Sequence, residues 1–274
     1  MNNLKKAWQY INKMKLIGEK GFVIAPESEQ VIRLGKYNKP GRYKEGDTIL
    51  VEIPEFVTCV NDQGIFRDIE NDLKVIYKGN CMRSICNLFS AYRGRRIDLT
   101  EFNFSSIENM GHMFSGCLNL AEVMFGQDID TSNVVHMDWM FSTCVSLKRV
   151  DLTMFNTHNV EDMSGMFDCC AIKSLNLKGF DTSNVKFMDH MFRGCDNLEQ
   201  LDLEGFDTAM VTTMNSMFGY CSLLEELNIS NFHIDDKADI NYMFRGCLEL
   251  KHIKLKWDRR IIDALPVHDI NIET

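Results

Sequence analysis

Residues 181–192 read Asp-Thr-Ser-Asn-Val-Lys-Phe-Met-Asp-His-Met-Phe, and variants of this phrase recur from about residue 82 onward. Its closing pair appears as Leu88-Phe89, Met113-Phe114, Met140-Phe141, Met166-Phe167, Met191-Phe192, Met217-Phe218 and Met243-Phe244, with Phe-to-Phe spacings of 25, 27, 26, 25, 26 and 26 residues. Three residues after six of these Phe stands a Cys: 117, 144, 170, 195, 221 and 247. An alternating trio follows, clearest in Leu198-x-x-Leu201-Asp-Leu203 and Leu224-x-x-Leu227-Asn-Ile229. Next comes a second aromatic column at Phe102, Phe155, Phe180, Phe206 and Phe232, with Ile129 in place of one member.

The alternation Leu-x-Leu describes a short strand with one face inward. The phrase Val-x-x-Met-x-x-Met-Phe has helical spacing, and Thr131/Ser132 or Thr182/Ser183 before it are suited to cap a first turn. Each unit therefore reads as strand, turn, then one or two helical turns. A single unit cannot bury its apolar side alone, but identical units stacked in register build a continuous core. Eleven of the 17 Met fall in two columns and are read as core. The Cys column is read as free, buried thiols, since parallel stacked side chains are badly placed for bridging. Cys169, out of phase beside Cys170, is the thiol expected to be most accessible.

The string DTSNV-x-x-M-x-x-MF-x-x-C-x-x-L-x-x-L-D-L resembles the repeats of BspA-like leucine-rich repeat proteins, in the variant of about 26 residues found in bacteria and mycoplasmas. The likeness covers roughly residues 82–257. It implies an α/β fold: a right-handed leucine-rich repeat solenoid with a parallel sheet on one face, of about six to seven coils. The better-known members of that family are surface proteins that bind host proteins.

The flanks carry no repeat. Residues 1–81 read as a cap region with one amphipathic helix (Leu4, Trp8, Ile11) and short apolar runs at 21–25, 30–34, 47–53 and 73–77, broken by turn signals. Residues 258–274 read as a C-terminal cap or tail, with Trp257, Ile261, Ile262, Leu265 and Val267 covering the last coil.

The 274 residues are 45% apolar and 25% charged, an ordinary globular composition with no run long enough to span a membrane. Residues 1–96 hold 17 Lys and Arg against 11 Asp and Glu, net +6; residues 97–274 carry net −15. The acidic part repels phosphate backbones, so nucleic acid is an unfavoured partner there. No apolar signal segment follows Lys5 and Lys6, which points to a cytoplasmic protein with reduced thiols. Export to the cell surface by another route is the alternative.

No nucleophile elbow, phosphate-binding glycine loop or zinc-protease helix motif is present, so no catalytic residue, cofactor, metal or small-molecule substrate is expected. The seven His read as surface positions, His112 and His136 being a pair that neighbouring coils bring close. Asp130, Asp181 and Asp207 read as turn-forming carboxylates. What remains is a non-enzymatic scaffold that binds a partner protein, one with a basic surface, through the outward strand residues. Those are Arg149, Asp151, Asn176, Gln200, Asp202, Glu204, Glu226 and Asn228. Two other readings are an exported adhesin of the BspA-like type and an intracellular inhibitor whose acidic face mimics nucleic acid.

Overall fold

The computed structural model describes residues 48–53, 66–67, 69–266 and 269–274. The helix expected at the N-terminus and the apolar runs at 21–25 and 30–34 lie outside them. The chain winds into a solenoid whose strands are all parallel. Strands β1 (Ile49–Ile53), β2 (Leu73–Tyr77), β3 (Arg96–Leu99) and β4 (Glu122–Phe125) form one sheet in sequence order. Strands β5 (Gln200–Asp202), β6 (Glu226–Ile229), β7 (His252–Leu255) and β8 (Asn271–Glu273) form a second. The ladder thus extends upstream of residue 82, through β1 and β2.

Between β4 and β5 the coils at Leu152 and Leu177 keep their inward leucines buried without regular strand pairing, so stacking continues where the ladder is interrupted. Register is fixed by the pleat: Leu201, Leu227, Ile253 and Ile272 align inward, and Asp202, Asn228, Lys254 and Glu273 align outward.

The core is a set of columns. Phe66, Phe89, Phe114, Phe141, Phe167, Phe192, Phe218 and Phe244 stack ring on ring, with centroids 5.1–5.8 Å apart and planes within 20°. Every Met of the two repeat columns is fully buried. The six repeat cysteines are buried and free. They are also donors: each thiol points at the carbonyl of the Phe one coil back, as in Cys195 Sγ to Phe167 O at 3.1 Å and Cys221 Sγ to Phe192 O at 3.0 Å. Burial pushes the Cys144, Cys195 and Cys221 thiols well up and Cys247 up to about 12.

The face opposite the strands is not helical, contrary to the spacing. Met113 N donates to Met110 O, closing a turn, but Phe114 N donates to Met140 O in the next coil. Met110, His112 and Gly116 donate likewise to His136, Asp138 and Ser142. Two residues per coil have left-handed φ: His112 and Gly116, Trp139 and Thr143, Gly165 and Cys169, His190 and Gly194, Ser216 and Tyr220, Tyr242 and Gly246. Consecutive turns with this alternation aim successive N–H groups along the solenoid axis, so the segment pairs with its neighbours instead of with itself.

Nor do the threonines cap helices. Thr131, Thr157, Thr182 and Thr208 are buried, and each Oγ1 joins its coil to the next. Thr182 Oγ1 donates to Asp207 O and accepts from Asp207 N, both at 2.8 Å. The carboxylates before them do form turns: Asp130, Asp181 and Asp207 each accept from the backbone N–H two residues on. The Ser183 hydroxyl and amide and the His158 ring hold Asp181 down, to about 2.

At the C-terminus, α1 (Arg259–Ala264) begins at Asp258, whose side chain accepts from Arg260 N. Ile261 is buried, and Ile262 and Leu265 pack against the core. Trp257, two residues beyond the last inward position of β7, is 68% exposed and so contributes little cover, and Val267 lies outside the described residues.

Candidate interaction surface on the strand face

The outward side chains of the strands lie in rows along the solenoid. One row runs Gln200, Glu226, His252, Asn271; the next runs Asp202, Asn228, Lys254, Glu273. Adjacent strands cross-link through these rows: Arg96 pairs with Glu122 at 2.9 Å, Asn228 Nδ2 donates to Asp202 Oδ1 at 3.0 Å, and Lys254 meets Glu273 at 3.6 Å.

The Asp and Asn of the central row also terminate strands. Asp151 Oδ1 accepts from the backbone N and the hydroxyl of Thr153, at 3.0 and 2.7 Å, and these donors pull its pKa down. Asn176, Asp202 and Asn228 accept from the backbone N of Lys178, Glu204 and Ser230 in the same way. Such side-chain-to-backbone bonds turn the chain off the sheet at the same place in each coil.

The structure divides the eight residues singled out in the sequence among three neighbouring shallow grooves and their rim. Gln200, Asp202, Glu226 and Asn228 line one groove over β5–β8. Asp151 lines a second groove, beside Arg95, Arg96 and Glu122. Arg149 borders both that groove and a third, which lies between the first two and holds Arg93, Arg95, Lys148 and Lys173 against one carboxylate among the described residues, Glu70. Asn176 and Glu204 line none of them.

Sequence reasoning missed the basic groove. No side chain among Arg93, Arg95, Lys148, Arg149 and Lys173 forms an ion pair with a described residue. The signal lay one residue before each strand: Arg95, Ala121, Lys148 and Lys173 occupy that position in the first coils, and Glu199 and Glu225 in the following two. This position therefore changes sign along the solenoid: basic at Arg95, Lys148 and Lys173, acidic at Glu199 and Glu225, and basic again at Lys251 before β7.

Cys169 is not an activated thiol. It is half-buried, and burial followed by the neighbouring Asp168 raises its pKa, with Arg193 pulling the other way. Arg193 is committed to Asp168 at 2.6 Å, a pair whose carboxylate is 5% exposed. Among the described residues no helix is long and apolar enough to cross a membrane.

A leucine-rich repeat protein from Bacteroides ovatus ATCC 8483, solved by crystallography, is similar at 13% identity and a TM-score of 0.43, over 81% of this chain and 60% of that chain. The chain thus spans about three-fifths of the length of that solved structure. No curated protein matches. A family model matches twice in tandem, over residues 83–177 and 168–265. These two matches cover the coils whose columns define the solenoid, and the chain belongs to the family described as Mycoplasma protein of unknown function, DUF285.

Proposed function

We propose that the protein is a non-enzymatic scaffold that binds a partner protein along the outward face of its parallel strands. The observation that carries this reading is the change of sign along that face, from Arg93, Arg95, Lys148, Arg149 and Lys173 to Glu199, Asp202, Glu225 and Glu226. A long shallow face of exposed side chains held in register suits contact with an extended protein surface. Two poles of opposite sign fix the orientation of a partner that carries the complementary pattern. The partner's basic portion rests on Gln200, Asp202, Glu204, Glu226 and Asn228, and its acidic portion lies toward Arg149. The working compartment in this reading is the cytoplasm, a reducing environment that suits the free buried thiols of the repeat column.

The test is capture of a partner from the cytosol of native cells at low and high salt. Two charge-reversal variants are compared: Glu199→Lys/Glu204→Lys/Glu226→Lys, and Arg95→Glu/Lys148→Glu/Lys173→Glu. Both alter side chains that make no hydrogen bond or ion pair with a described residue. Each is expected to lose the partner that the parent retains, with capture weakening as salt rises. The control, Asp128→Lys/Asp236→Lys, lies away from the strands and should bind as the parent does. Unchanged capture by both strand-face variants overturns the reading. Recovery of the protein only in a surface fraction would favour the adhesin.

A further inference from the structure

On the turn face, opposite the strands, three coils bring together four side chains that the proposed function does not use. We propose that His136, Asp138 and Asp162, with His112 completing the set, form a site for one divalent transition-metal ion of the Zn²⁺ class. One ligand atom from each of the first three lies within 4.8 Å of the others, and all three are partly exposed. His136 and Asp138 flank the inward Met137, so both point outward from the same coil. Asp162 stands beside His136 in the next coil. From the preceding coil, His112 Nε2 reaches to 3.5 Å of Asp138 Oδ2.

Two features set this cluster apart from the rest of the face. The first is room. A Cβ at residue 111 would lie 2.7 Å from Asp138 Oδ1, and the residue there is Gly111, which lets the carboxylate sit between its neighbours. The His112 ring is held against Trp139, with centroids 6.2 Å apart and planes within 9°. The second is the lack of internal hydrogen bonding. In the equivalent positions of later coils the polar side chains satisfy one another: Thr213 Oγ1 donates to Asp189, Asn215 N donates to Asp189 Oδ1 at 2.9 Å, and Asn215 Nδ2 donates to Asp239 Oδ2. No hydrogen bond joins His136 to Asp138 or to Asp162.

Asp162 has Oδ1 occupied by Ser164 N at 2.8 Å, which fixes the carboxylate and leaves Oδ2 for a ligand. Two imidazoles and two carboxylates match the nitrogen and oxygen preference of Zn²⁺, whose bonds of ~2.0–2.2 Å place ligand atoms ~3.3–3.6 Å apart. His112 Nε2 and Asp138 Oδ2, at 3.5 Å, already have that spacing, and the ligand atoms of His136, Asp138 and Asp162, within 4.8 Å of one another, would close to it on binding. Bound there, the ion would tie three consecutive coils together.

The experiment uses the full chain without a polyhistidine tag, stripped of metal, with ZnCl2 titrated at neutral pH in competition with a chromophoric chelator. One ion per chain is expected, with a rise in unfolding temperature. His136→Gln and Asp162→Asn should each weaken binding at least tenfold; the latter keeps the oxygen that accepts from Ser164 N, so its fold is expected to survive. His233→Ala, elsewhere on the surface, should bind as the parent does. The proposal fails if no ion binds, or if both ligand variants retain parental affinity. It also fails if the Co²⁺ complex shows the charge-transfer absorption of thiolate ligation, which would put the ion on cysteines.

Discussion

Ten of the described residues other than glycine hold left-handed φ, a conformation that costs an L side chain about 1–2 kcal/mol. The bonds they allow between coils offset that cost, and some positions carry no further compensation. Ala91, at φ 58°, has an exposed side chain. Ala91→Gly should raise stability by about 0.5–1 kcal/mol in urea unfolding, the relief of strain exceeding the entropy gained by the unfolded chain. The converse holds at Gly165, at φ +58°, where a Cβ would lie 2.5 Å from the Trp139 indole. That indole reaches from His112 across this coil to His190. Gly165→Ala should therefore cost about 2 kcal/mol or more and alter Trp139 fluorescence. The buried thiols give a pH signature. Cys247 has its pKa raised from 9.0 to about 12. Below 9 both folded and unfolded forms are protonated; between about 9 and about 12 only the unfolded chain loses the proton. Stability should fall across that window by ~1.4 kcal/mol per pH unit for this thiol. Cys247→Ala should show a shallower alkaline fall in urea midpoint than the parent.

At the scale of the element, each coil is shaped by corners instead of by helices. Sequence reasoning treats Asp151 and Asp202 as outward binding residues, but both also accept backbone N–H groups at the corner where the chain leaves the strand face. Asp151→Lys should cost about 0.5–1.5 kcal/mol, whereas Asp151→Asn, which keeps the accepting oxygen, should be near neutral; thermal unfolding of the two separates turn from charge. The threonine corner is more demanding. Thr182→Val preserves shape but leaves the N–H and C=O of Asp207 without their partner, and a loss of about 2–3 kcal/mol is expected in urea unfolding. The strand trio was legible from alternation because period two has one reading. The Met-x-x-Met-Phe segment was not: a spacing of three suits a helix and a chain of turns equally. The two differ in where the N–H groups go, and here they go to the next coil.

The whole molecule is a one-dimensional stack, so the cost of a core truncation depends on its place along the axis. Phe192 has a ring on each side, Phe167 at 5.7 Å and Phe218 at 5.8 Å. Phe244 ends the described stack against Phe218 at 5.6 Å. Phe192→Ala should cost about 3–5 kcal/mol, and Phe244→Ala about 1 kcal/mol less for the missing neighbour, as measured by urea unfolding. Charge is distributed on the same axis. Counting residues gives a basic first third and an acidic remainder, yet Lys148, Arg149 and Lys173 from the acidic remainder join Arg93 and Arg95 in one groove. Stacking places residues about 26 apart side by side, so the pattern down a column, and not the net charge of a segment, sets what the surface presents.

The sequence alone determined the repeat, its register, the stacked Phe, Met and Cys columns, and which strand residues face outward, because burial every 25–27 residues leaves few ways to arrange identical units. Only the tertiary structure decided the rest. It sent the backbone hydrogen bonds of the turn face to neighbouring coils, made bridges of threonines that local pattern reads as caps, and gathered His112, His136, Asp138 and Asp162 into one cluster. The physical reason is common to all three. These contacts join residues roughly one coil apart in sequence, and their geometry follows from φ values and side-chain directions that exist only once the coils are stacked.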